Sequence, residues 1–297
     1  MYHTPVLLKE SIQGLMIESG GTYVDATFGG GGHAIEIMKQ IGTGKLIAFD
    51  RDPDTLNNVI RDKNFMLINA DYRYIKNFLQ LHDAIPCDGI LADLGISSHQ
   101  IDAPERGFST RFEGELDMRM DNRSPISAAD IVNNYPEHDL AVILKNYGEI
   151  KNSKRLASVI THARSVSPIQ STTALKAIVQ ECAQRGQENK YLAQVFQAIR
   201  IEVNRELESL EIFLTKGMEV LKPGGRMVVI SYHSLEDRLV KNFFRSGNTD
   251  GRQEQDFYGN IHTGIQAITR KPIIPKQEEI DRNPRARSAK LRIGEKK

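Results

Sequence analysis

The stretch TYVDATFGGGGH, residues Thr22 to His33, decides how the chain folds. It begins with apolar residues typical of a strand, continues into the consecutive glycines Gly29 to Gly32, and leads at His33 into a run with helical apolar spacing. Because glycine has no Cβ, main-chain N–H groups at the start of a helix can approach a ligand closely. The stretch therefore predicts a nucleotide-binding loop.

Two cofactor classes fit this loop. Gly29, Gly31 and Ala34 match the pattern G-x-G-x-x-G/A, and a second strand, Lys45 to Phe49, ends in Asp50 about twenty residues further on. A carboxylate there would accept hydrogen bonds from ribose hydroxyls. NAD and S-adenosylmethionine present the same ribose, so the pattern does not separate them, and a glycine-rich turn without any ligand is a third interpretation.

Composition indicates an ordinary globular protein. The chain has 297 residues, 40% of them hydrophobic and 26% charged, which suits one large domain with an insertion or two domains. No apolar run approaches membrane-spanning length, and MYHTPVLLKE lacks a signal-peptide pattern, so we expect a cytoplasmic protein. Cys87 and Cys182 lack the C-x-x-C spacing of a zinc or redox site and are interpreted as buried thiols.

The charge of the chain is unevenly distributed. The net charge is +1, but Arg270 to Lys297 contains ten bases and four acids, so a charge of +6 there leaves −5 elsewhere. A basic segment suits a polyanionic partner such as nucleic acid, and a solvated tail is the alternative.

Three acids share one predicted location. Asp50, Asp71 and Asp93 each follow or end an apolar strand, and strands alternate with helices through the first hundred residues. This alternation predicts a parallel sheet with helices on both faces, whose ligands gather at the carboxyl ends of the strands. Each acid taken singly could be a simple helix cap. The strands are predicted at Lys45 to Phe49, Phe65 to Ile68 and Gly89 to Asp93.

The later sequence favours a methyltransferase. Met218 to Tyr232, MEVLKPGGRMVVISY, combines a helix end, a Pro-Gly-Gly turn and a fifth strand, a pattern more typical of Rossmann-like methyltransferases than of dehydrogenases. Gly264 to Thr269 and Ser288 to Ile293 are predicted as the last two strands, added antiparallel. We therefore expect an α/β fold of the Rossmann-like S-adenosylmethionine-dependent methyltransferase class I, with a mostly parallel sheet.

A helical insertion separates the fourth and fifth strands. Four segments show helical apolar spacing, and Leu192 to Leu221 is predicted as one long helix. The predicted domains are 1–104 (methyltransferase, first part), 105–205 (helical insertion for substrate recognition) and 206–297 (methyltransferase, second part). The four segments are Ala128 to Tyr135, Asp139 to Tyr147, Lys154 to Ser165 and Thr172 to Arg185.

The loop after the fourth strand identifies a family. DLGISSHQIDAPERGFSTRFEGELDMRMD, Asp93 to Asp121, closely resembles the signature of the bacterial ribosomal RNA small subunit methyltransferase H family, also called MraW. The resemblance extends over almost the whole chain. It also includes HTPVLLKE (His3 to Glu10), FQAIRIEVNRELESL (Phe196 to Leu210), SYHSLEDRLVK (Ser231 to Lys241) and NPRARSAKLR (Asn283 to Arg292).

The resemblance implies an activity and a cofactor site. The family methylates the N4 amine of a cytidine in 16S rRNA, C1402 in conventional numbering, using S-adenosylmethionine. Asp71 is not among the family's contacts, so its role stays open. The implied cofactor-binding residues are Gly31, Gly32, His33, Asp50, Tyr72, Asp93 and Gln100.

This chain departs from the family pattern in three places. Tyr72 stands where Phe is usual, which keeps the ring, and His99 replaces a proline in the loop after the fourth strand. Lys190 to Gln194 replaces a basic motif, so any contact assigned to that motif is in doubt.

The chemistry requires a proton acceptor. Cytosine N4 is a weak nucleophile because its lone pair is delocalised into the ring, and Asp93 is the first candidate to accept its proton. Ser231 and His233 are candidates to orient the cytosine, with a capping network around Glu236 as the alternative for His233. The base would stack on Phe108 or Phe112. No metal is needed.

Basic and aromatic residues are interleaved after the fourth strand, a pattern that suits phosphates and unstacked bases. Internal pairing with nearby acids is the alternative. The sequence leaves open whether the chain forms a homodimer, and whether naked rRNA or the assembled small subunit is its substrate. Rival functions are a NAD-dependent oxidoreductase and a non-catalytic ribosome-assembly factor. The candidate RNA-binding residues are Arg106, Phe108, Arg111, Arg285 and Arg287.

Overall fold

The computed structural model describes residues 5–252 and 263–297, so His3 and Thr4 of the HTPVLLKE stretch lie outside the described residues. The chain divides into two compact units. The sheet unit comprises the residues up to Gly95 together with Leu207–Lys297, and the helical unit is Ile96–Glu206. Within the described ranges, no helix is long and apolar enough to cross a membrane.

The sheet unit is built on a seven-stranded sheet in the order β3-β2-β1-β4-β5-β7-β6. The first five strands run parallel, and β7 pairs antiparallel with both β5 and β6. The predicted Rossmann-like α/β class with a mostly parallel sheet is thus confirmed. The strands are β1 Thr22–Asp25, β2 Lys45–Phe49, β3 Phe65–Ile68, β4 Cys87–Asp93, β5 Leu221–Ser231, β6 Ile265–Ala267 and β7 Lys290–Lys296.

Helices complete both units. In the sheet unit they are α1 Leu8–Leu15, α2 Gly32–Met38, α3 Ile75–Leu81, α10 Glu206–Val220 (from Leu207 onward), α11 Ser234–Ser246 and α12 Gln277–Arg282. In the helical unit they are α4 Ser98–Asp102, α5 Ala128–Asn134, α6 Glu137–Asn146, α7 Ser153–Val166, α8 Thr172–Gln180 and α9 Glu188–Asn204.

Two sequence predictions about helices were wrong in detail. Asp52 as a cap and Pro53 as the first position predict a helix from Pro53 to about Arg61, whereas the structure has a short 3₁₀ turn, Pro53–Asn58, in which the Asp52 side chain accepts from the N–H of Asp54. The helix predicted from Leu192 to Leu221 is interrupted at Arg205, whose φ of +49° is left-handed. The buried Asn204 amide bonds the main chain at Met118 and Met120, so its side chain fixes the point where α9 ends.

The helical unit has its own apolar core, formed by α5 to α9 and the segment before them. It begins at Ile96, earlier than the predicted boundary at residue 105, because Ile96 packs against that core. Cys87 and Cys182 are free, buried thiols, as predicted.

Phe213 on α10 supports the face of the sheet next to the candidate site. Its ring is fully buried and lies 4.9 Å, centre to centre, from the ring of Tyr72. Tyr72 follows β3, so this contact holds the loop at the carboxyl end of that strand.

Replacing Phe213 by alanine should lower the free energy of unfolding by about 3–5 kcal/mol, because it leaves a cavity in a close-packed core. Urea denaturation measures the change. Leu81→Ala is the matched control, since Leu81 is 71% exposed and should cost well under 1 kcal/mol. Equal losses in the two variants would show that the Phe213 contact does not support the fold.

Candidate cofactor and active site

The glycine loop forms the predicted strand-to-helix turn. Gly29 and Gly31 both have left-handed backbone, with φ of +52° and +76°, a conformation that glycine adopts without steric cost. The loop is fixed by hydrogen bonds from the Phe28 N–H to the Phe49 carbonyl and from the Gly31 N–H to the Phe28 carbonyl. A Cβ added at Gly29 would have no described heavy atom within 4 Å, so this part of the loop is open to a ligand.

Asp50 joins the end of β2 to this loop. Its Oδ2 accepts from the Gly29 N–H at 2.8 Å and its Oδ1 from the Asp52 N–H at 2.9 Å. Burial raises the pKa of this carboxyl to about 6, while these two hydrogen bonds act in the opposite direction. Each carboxylate oxygen has a further lone pair, so Asp50 can also accept from the hydroxyls of a ribose.

Asp25, at the end of β1, is a site residue that the sequence reasoning missed. The side chain is buried, and its Oδ1 accepts from the Thr27 N–H at 3.1 Å. Its Oδ2 has no hydrogen-bond partner among the described residues, and burial raises its pKa to about 7. The rule that selects Asp50 and Asp93, an acid at the carboxyl end of a parallel strand, would also have selected Asp25.

Asp93 lies at the end of β4, beside Asp25. Its N–H donates to Thr27 Oγ1 at 2.6 Å, and its Oδ1 accepts from the Tyr232 hydroxyl at 2.7 Å. Desolvation raises the pKa of Asp93 to about 7; the Tyr232 hydrogen bond lowers this pKa and the charge of Asp25 raises it. A carboxyl with this pKa can exchange a proton near neutral pH.

Tyr232 was also missed, although it stands between two predicted residues. The structure shows why it belongs here: β5 pairs with β4 in the register Ile230 to Asp93, so a side chain just after β5 reaches the end of β4.

His33 is neutral at physiological pH. Burial lowers its pKa to about 4, and its Nε2 lies 3.1 Å from the Val6 carbonyl oxygen. A carbonyl only accepts, so Nε2 carries the hydrogen and Nδ1 carries the lone pair. Nδ1 lies 3.8 Å from Asp93 Oδ2, too far for a direct hydrogen bond. The ring is therefore uncharged and buried, with Asp93 as its nearest acid.

Asp71 has a structural role at the end of β3. Its Oδ2 lies 3.3 Å from Arg51 and 3.2 Å from Arg73, and although burial raises its pKa, the two arginines lower it below the ordinary value. The Arg51 guanidinium lies 5.9 Å from the centre of the Tyr72 ring. Asp71 thus fixes the arginine that packs on Tyr72.

Ser231 and His233 form local hydrogen bonds. Ser231 Oγ is buried and donates to the Lys290 carbonyl at 3.3 Å, across the β5–β7 pair. His233 caps α11: Nδ1 accepts from the Glu236 N–H at 3.4 Å, and Nε2 lies 3.2 Å from Glu236 Oε1. This geometry matches the capping alternative for His233, and a role for either residue in orienting cytosine stays a prediction.

Gln100 belongs to the helical unit. It is buried and forms a capping box with Ser97, in which Gln100 Oε1 accepts from the Ser97 N–H at 3.0 Å and Ser97 Oγ accepts from the Gln100 N–H at 3.2 Å. Its assignment to the cofactor rests on the family resemblance alone. His99 beside it is exposed.

The candidate RNA-binding residues lie in contrasting environments. Arg106 donates to the carbonyls of Arg119 and Met120, and Phe108 is buried in the core of the helical unit. Arg111 and Arg287 are exposed, and Arg285 is partly buried. Internal ion pairs, the alternative interpretation, are found for Arg119 with Asp117 and for Arg123 with Asp121.

A recess of about 690 Å³ lies elsewhere in the sheet unit, between α1 and α2. It is lined by residues such as Ile12, Met16 and Gln40, and none of the predicted cofactor residues contributes to it. We therefore place the candidate site at the ends of the strands and not in this recess.

Comparison with known proteins gives the family. The model of the MraW methylase family matches residues 1–297, the whole chain.

The chain belongs to the MraW methylase family.

Curated relatives agree with this assignment. The chain is 54% identical over 298 residues to the ribosomal RNA small subunit methyltransferase H of Cytophaga hutchinsonii, with 100% of both chains covered. It is 53% identical over 297 residues to the protein of the same name from Bacteroides fragilis, covering 100% of this chain and 98% of the relative.

Among solved structures, a putative methyltransferase from Streptococcus mutans in complex with SAH is 12% identical, with a TM-score of 0.45 and full coverage of both chains.

The MraW methylases are S-adenosylmethionine-dependent methyltransferases, and the residues present here fit that cofactor. The cofactor carries a sulfonium and an ammonium group. Asp25 Oδ2 is a buried acceptor without a partner among the described residues, which a cationic or hydrogen-bond-donating ligand would satisfy. Asp50 suits the hydroxyls of the ribose, and the open side of Gly29 lets the cofactor lie close to the main chain of the loop.

Replacing Asp25 by asparagine should flatten the dependence of stability on pH. The folded protein holds the Asp25 proton up to about pH 7, whereas the unfolded chain releases it near its ordinary pKa of 3.8, so this stabilisation is full at low pH and is lost as pH rises toward 7. Thermal unfolding without cofactor should show Asp25→Asn more stable than the wild type at pH 8, on the order of 2 kcal/mol, and little changed at pH 4. The control is Asp139→Asn, an exposed carboxyl. If the pH dependence of stability were the same in Asp25→Asn and in the wild type, folding would not raise the pKa of the Asp25 carboxyl.

Proposed function

We propose that this chain transfers a methyl group from S-adenosylmethionine to the N4 amine of cytidine 1402 in the 16S rRNA of the small ribosomal subunit. The observation that carries the proposal is the Asp93 carboxyl, with a pKa near 7, hydrogen-bonded to Tyr232 and adjacent to the glycine loop. The names of the full-length relatives support an rRNA substrate. We also propose that the protein works in the cytoplasm, where bacterial ribosomal subunits are made.

The residues of the sheet unit would hold the cofactor as follows. Asp50 would accept from the ribose hydroxyls, Tyr72 would pack beside the adenine, and Gly29 would let the main chain approach the cofactor. Gly31 and Gly32 keep the loop compact, because a Cβ at either would crowd the Phe28 ring or the Pro5 ring. Asp25 balances positive charge, and the neutral ring of His33 excludes water from one side. When bound, S-adenosylmethionine supplies an electrophilic methyl group. The protein needs to add in-line positioning, because the reaction disperses charge instead of creating it.

Asp93 would handle the proton of the target amine. Methylation of N4 would make one of its protons acidic, and that proton needs an acceptor. The ionised Asp93 carboxylate accepts that proton, and the Tyr232 hydroxyl holds the carboxylate in place and stabilises its charge. Because the pKa of Asp93 is about 7, a useful fraction of the carboxyl is ionised at neutral pH.

Of the two rival functions, family membership removes the NAD-dependent oxidoreductase. The assembly factor differs from the enzyme only in turnover, so a variant that retains the fold and lacks the proton acceptor separates them.

The deciding experiment measures the modified nucleosides of 16S rRNA by mass spectrometry, in cells with and without this gene. Deletion should remove N4-methylcytidine from the proposed position, and the wild-type gene should restore it. Asp93→Asn should restore less than about 1% of the wild-type rate, because loss of a general base costs roughly 10²–10⁴-fold. Asp139→Asn is the control that should restore it fully. Persistence of the modification after deletion would overturn the proposal.

Replacing Tyr232 by phenylalanine should shift the pH dependence of methylation. Activity requires ionised Asp93, so kcat/KM should rise with pH through about 7 in the wild type. Without the Tyr232 hydroxyl the charged form loses a hydrogen bond, the pKa of Asp93 rises, and the midpoint should move up by about one pH unit. Tyr191→Phe, which removes a hydroxyl bonded to Asn152 in the helical unit, should leave the midpoint unchanged. The same midpoint in Tyr232→Phe and the wild type would exclude this role for Tyr232.

A further inference from the structure

The helical unit exposes an aromatic ring on its surface. Phe112 is 47% exposed, whereas Phe108, four residues earlier, is 7% exposed and packs in the core of the unit. The sequence left open which of these rings stacks a base. Since Phe108 is occupied by core packing, only Phe112 of this pair offers a face to a ligand.

The loop that carries Phe112 is held firmly in place. Thr172 Oγ1, buried at the start of α8, donates to the Phe112 carbonyl at 3.0 Å and accepts from the Gly114 N–H at 3.1 Å. The Thr172 N–H donates to the Gly114 carbonyl at 3.0 Å. Gly114 also approaches the Pro104 carbonyl so closely that a Cβ could not be accommodated without a shift of the main chain. The ring is therefore presented by a fixed backbone, which limits the entropy lost on binding.

A recess of about 220 Å³ lies beside this ring. Its other wall is the outward face of α8, where side chains at helical spacing line up. This volume is below the roughly 300–1,000 Å³ of sites that enclose a small molecule, so the recess suits one flat group lying against the surface. The lining residues on α8 are Thr173, Lys176, Ala177 and Gln180.

The charge of the recess favours an anionic chain. Arg111 and Lys176 line it together with a single acid, Glu113, and Arg111 is exposed next to the ring. An aromatic face with basic side chains in the same recess is an arrangement by which proteins bind single-stranded nucleic acid, with bases stacked on the ring and phosphates against the cations. Thr173 and Gln180 add neutral hydrogen-bonding groups that suit base edges.

We propose that Phe112, Arg111 and Lys176 form a subsite for one unpaired nucleotide of the RNA substrate. The base stacks on Phe112, and the neighbouring phosphates contact Arg111 and Lys176. That the RNA is the enzyme's substrate rests on the proposed function. The subsite differs from the sequence prediction, which gave Arg106 and Phe108 equal weight with Arg111, because Arg106 bonds main-chain carbonyls and Phe108 is buried.

Binding is tested with a single-stranded RNA decamer that contains 2-aminopurine, whose fluorescence falls when it stacks. The full-length wild type should quench the probe, and Phe112→Ala should weaken binding by about tenfold and abolish the quenching. Phe112→Tyr should retain both, and Phe112→Leu, which keeps apolar bulk without a π face, should lose the quenching. Arg111→Gln with Lys176→Gln should weaken binding and reduce its salt dependence. The matched control is Val166→Ala, an 80% exposed apolar residue of the same unit.

A second measurement separates this proposal from the proposed function. In methylation of small subunits by the purified enzyme, Phe112→Ala should raise KM for the subunit by about tenfold and leave kcat nearly unchanged, because a flanking contact contributes equally to ground and transition states. If the wild type binds the decamer through Phe112 but methylates no rRNA, the subsite stands and the function fails. If the wild type methylates rRNA and Phe112→Ala matches it in binding, quenching and KM, the subsite is overturned and the function stands. Loss of activity on assembled subunits with unchanged RNA binding would indicate a protein contact and would also overturn the subsite.

Discussion

The desolvation of three carboxyl groups at the ends of adjacent parallel strands is the constraint on which the rest of the candidate site depends. Asp25, Asp50 and Asp93 end or follow β1, β2 and β4, and burial raises the pKa of each. Desolvated like charges oppose folding, so the protein distributes donors among them. Thr27 links two of the acids, since its N–H donates to Asp25 and its hydroxyl accepts from the main chain of Asp93. One oxygen of Asp25 remains without a partner among the described residues, so this acceptor is available to a cation.

The described side chains around the three acids do not neutralise them with a positive charge. Tyr232 donates to Asp93 without adding a charge, and His33 is held neutral by burial, so neither produces a fixed ion pair with the proposed proton acceptor. Asp71 shows the contrasting arrangement one strand further along. Two arginines lower its pKa, and its carboxylate serves to fix the side chain that packs on Tyr72. Acids at equivalent strand ends thus differ in role: an acid beside a protein cation is structural, and an acid without one is available to a ligand.

The two units contribute different kinds of chemistry. The sheet unit brings together groups whose protonation is tuned by burial, and it is anchored by contacts such as that between Phe213 and Tyr72. The helical unit has its own core and presents charged and aromatic groups on its surface. Within it, the distribution of arginines between internal bonds and exposed positions separates residues that shape the unit from those available to an RNA chain.

The sequence by itself determined the fold class, the alternation of strands and helices, the glycine loop, and Asp50 and Asp93 at the strand ends. These features depend on local periodicity and on glycine's lack of a side chain. It also indicated the family, through long and unusual motifs such as the one that follows β4. Only the tertiary structure decided that Asp25 and Tyr232 lie beside Asp93 in the candidate site, that Asp71 is paired, and that Phe112 rather than Phe108 is exposed. It also placed the break between α9 and α10, where the Asn204 amide bonds main chain more than eighty residues away. The physical reason is the same in each case. A strand-end position can mark an acid such as Asp25 as a candidate, but the burial and the partners of a side chain depend on residues distant in the chain, which the local pattern does not specify.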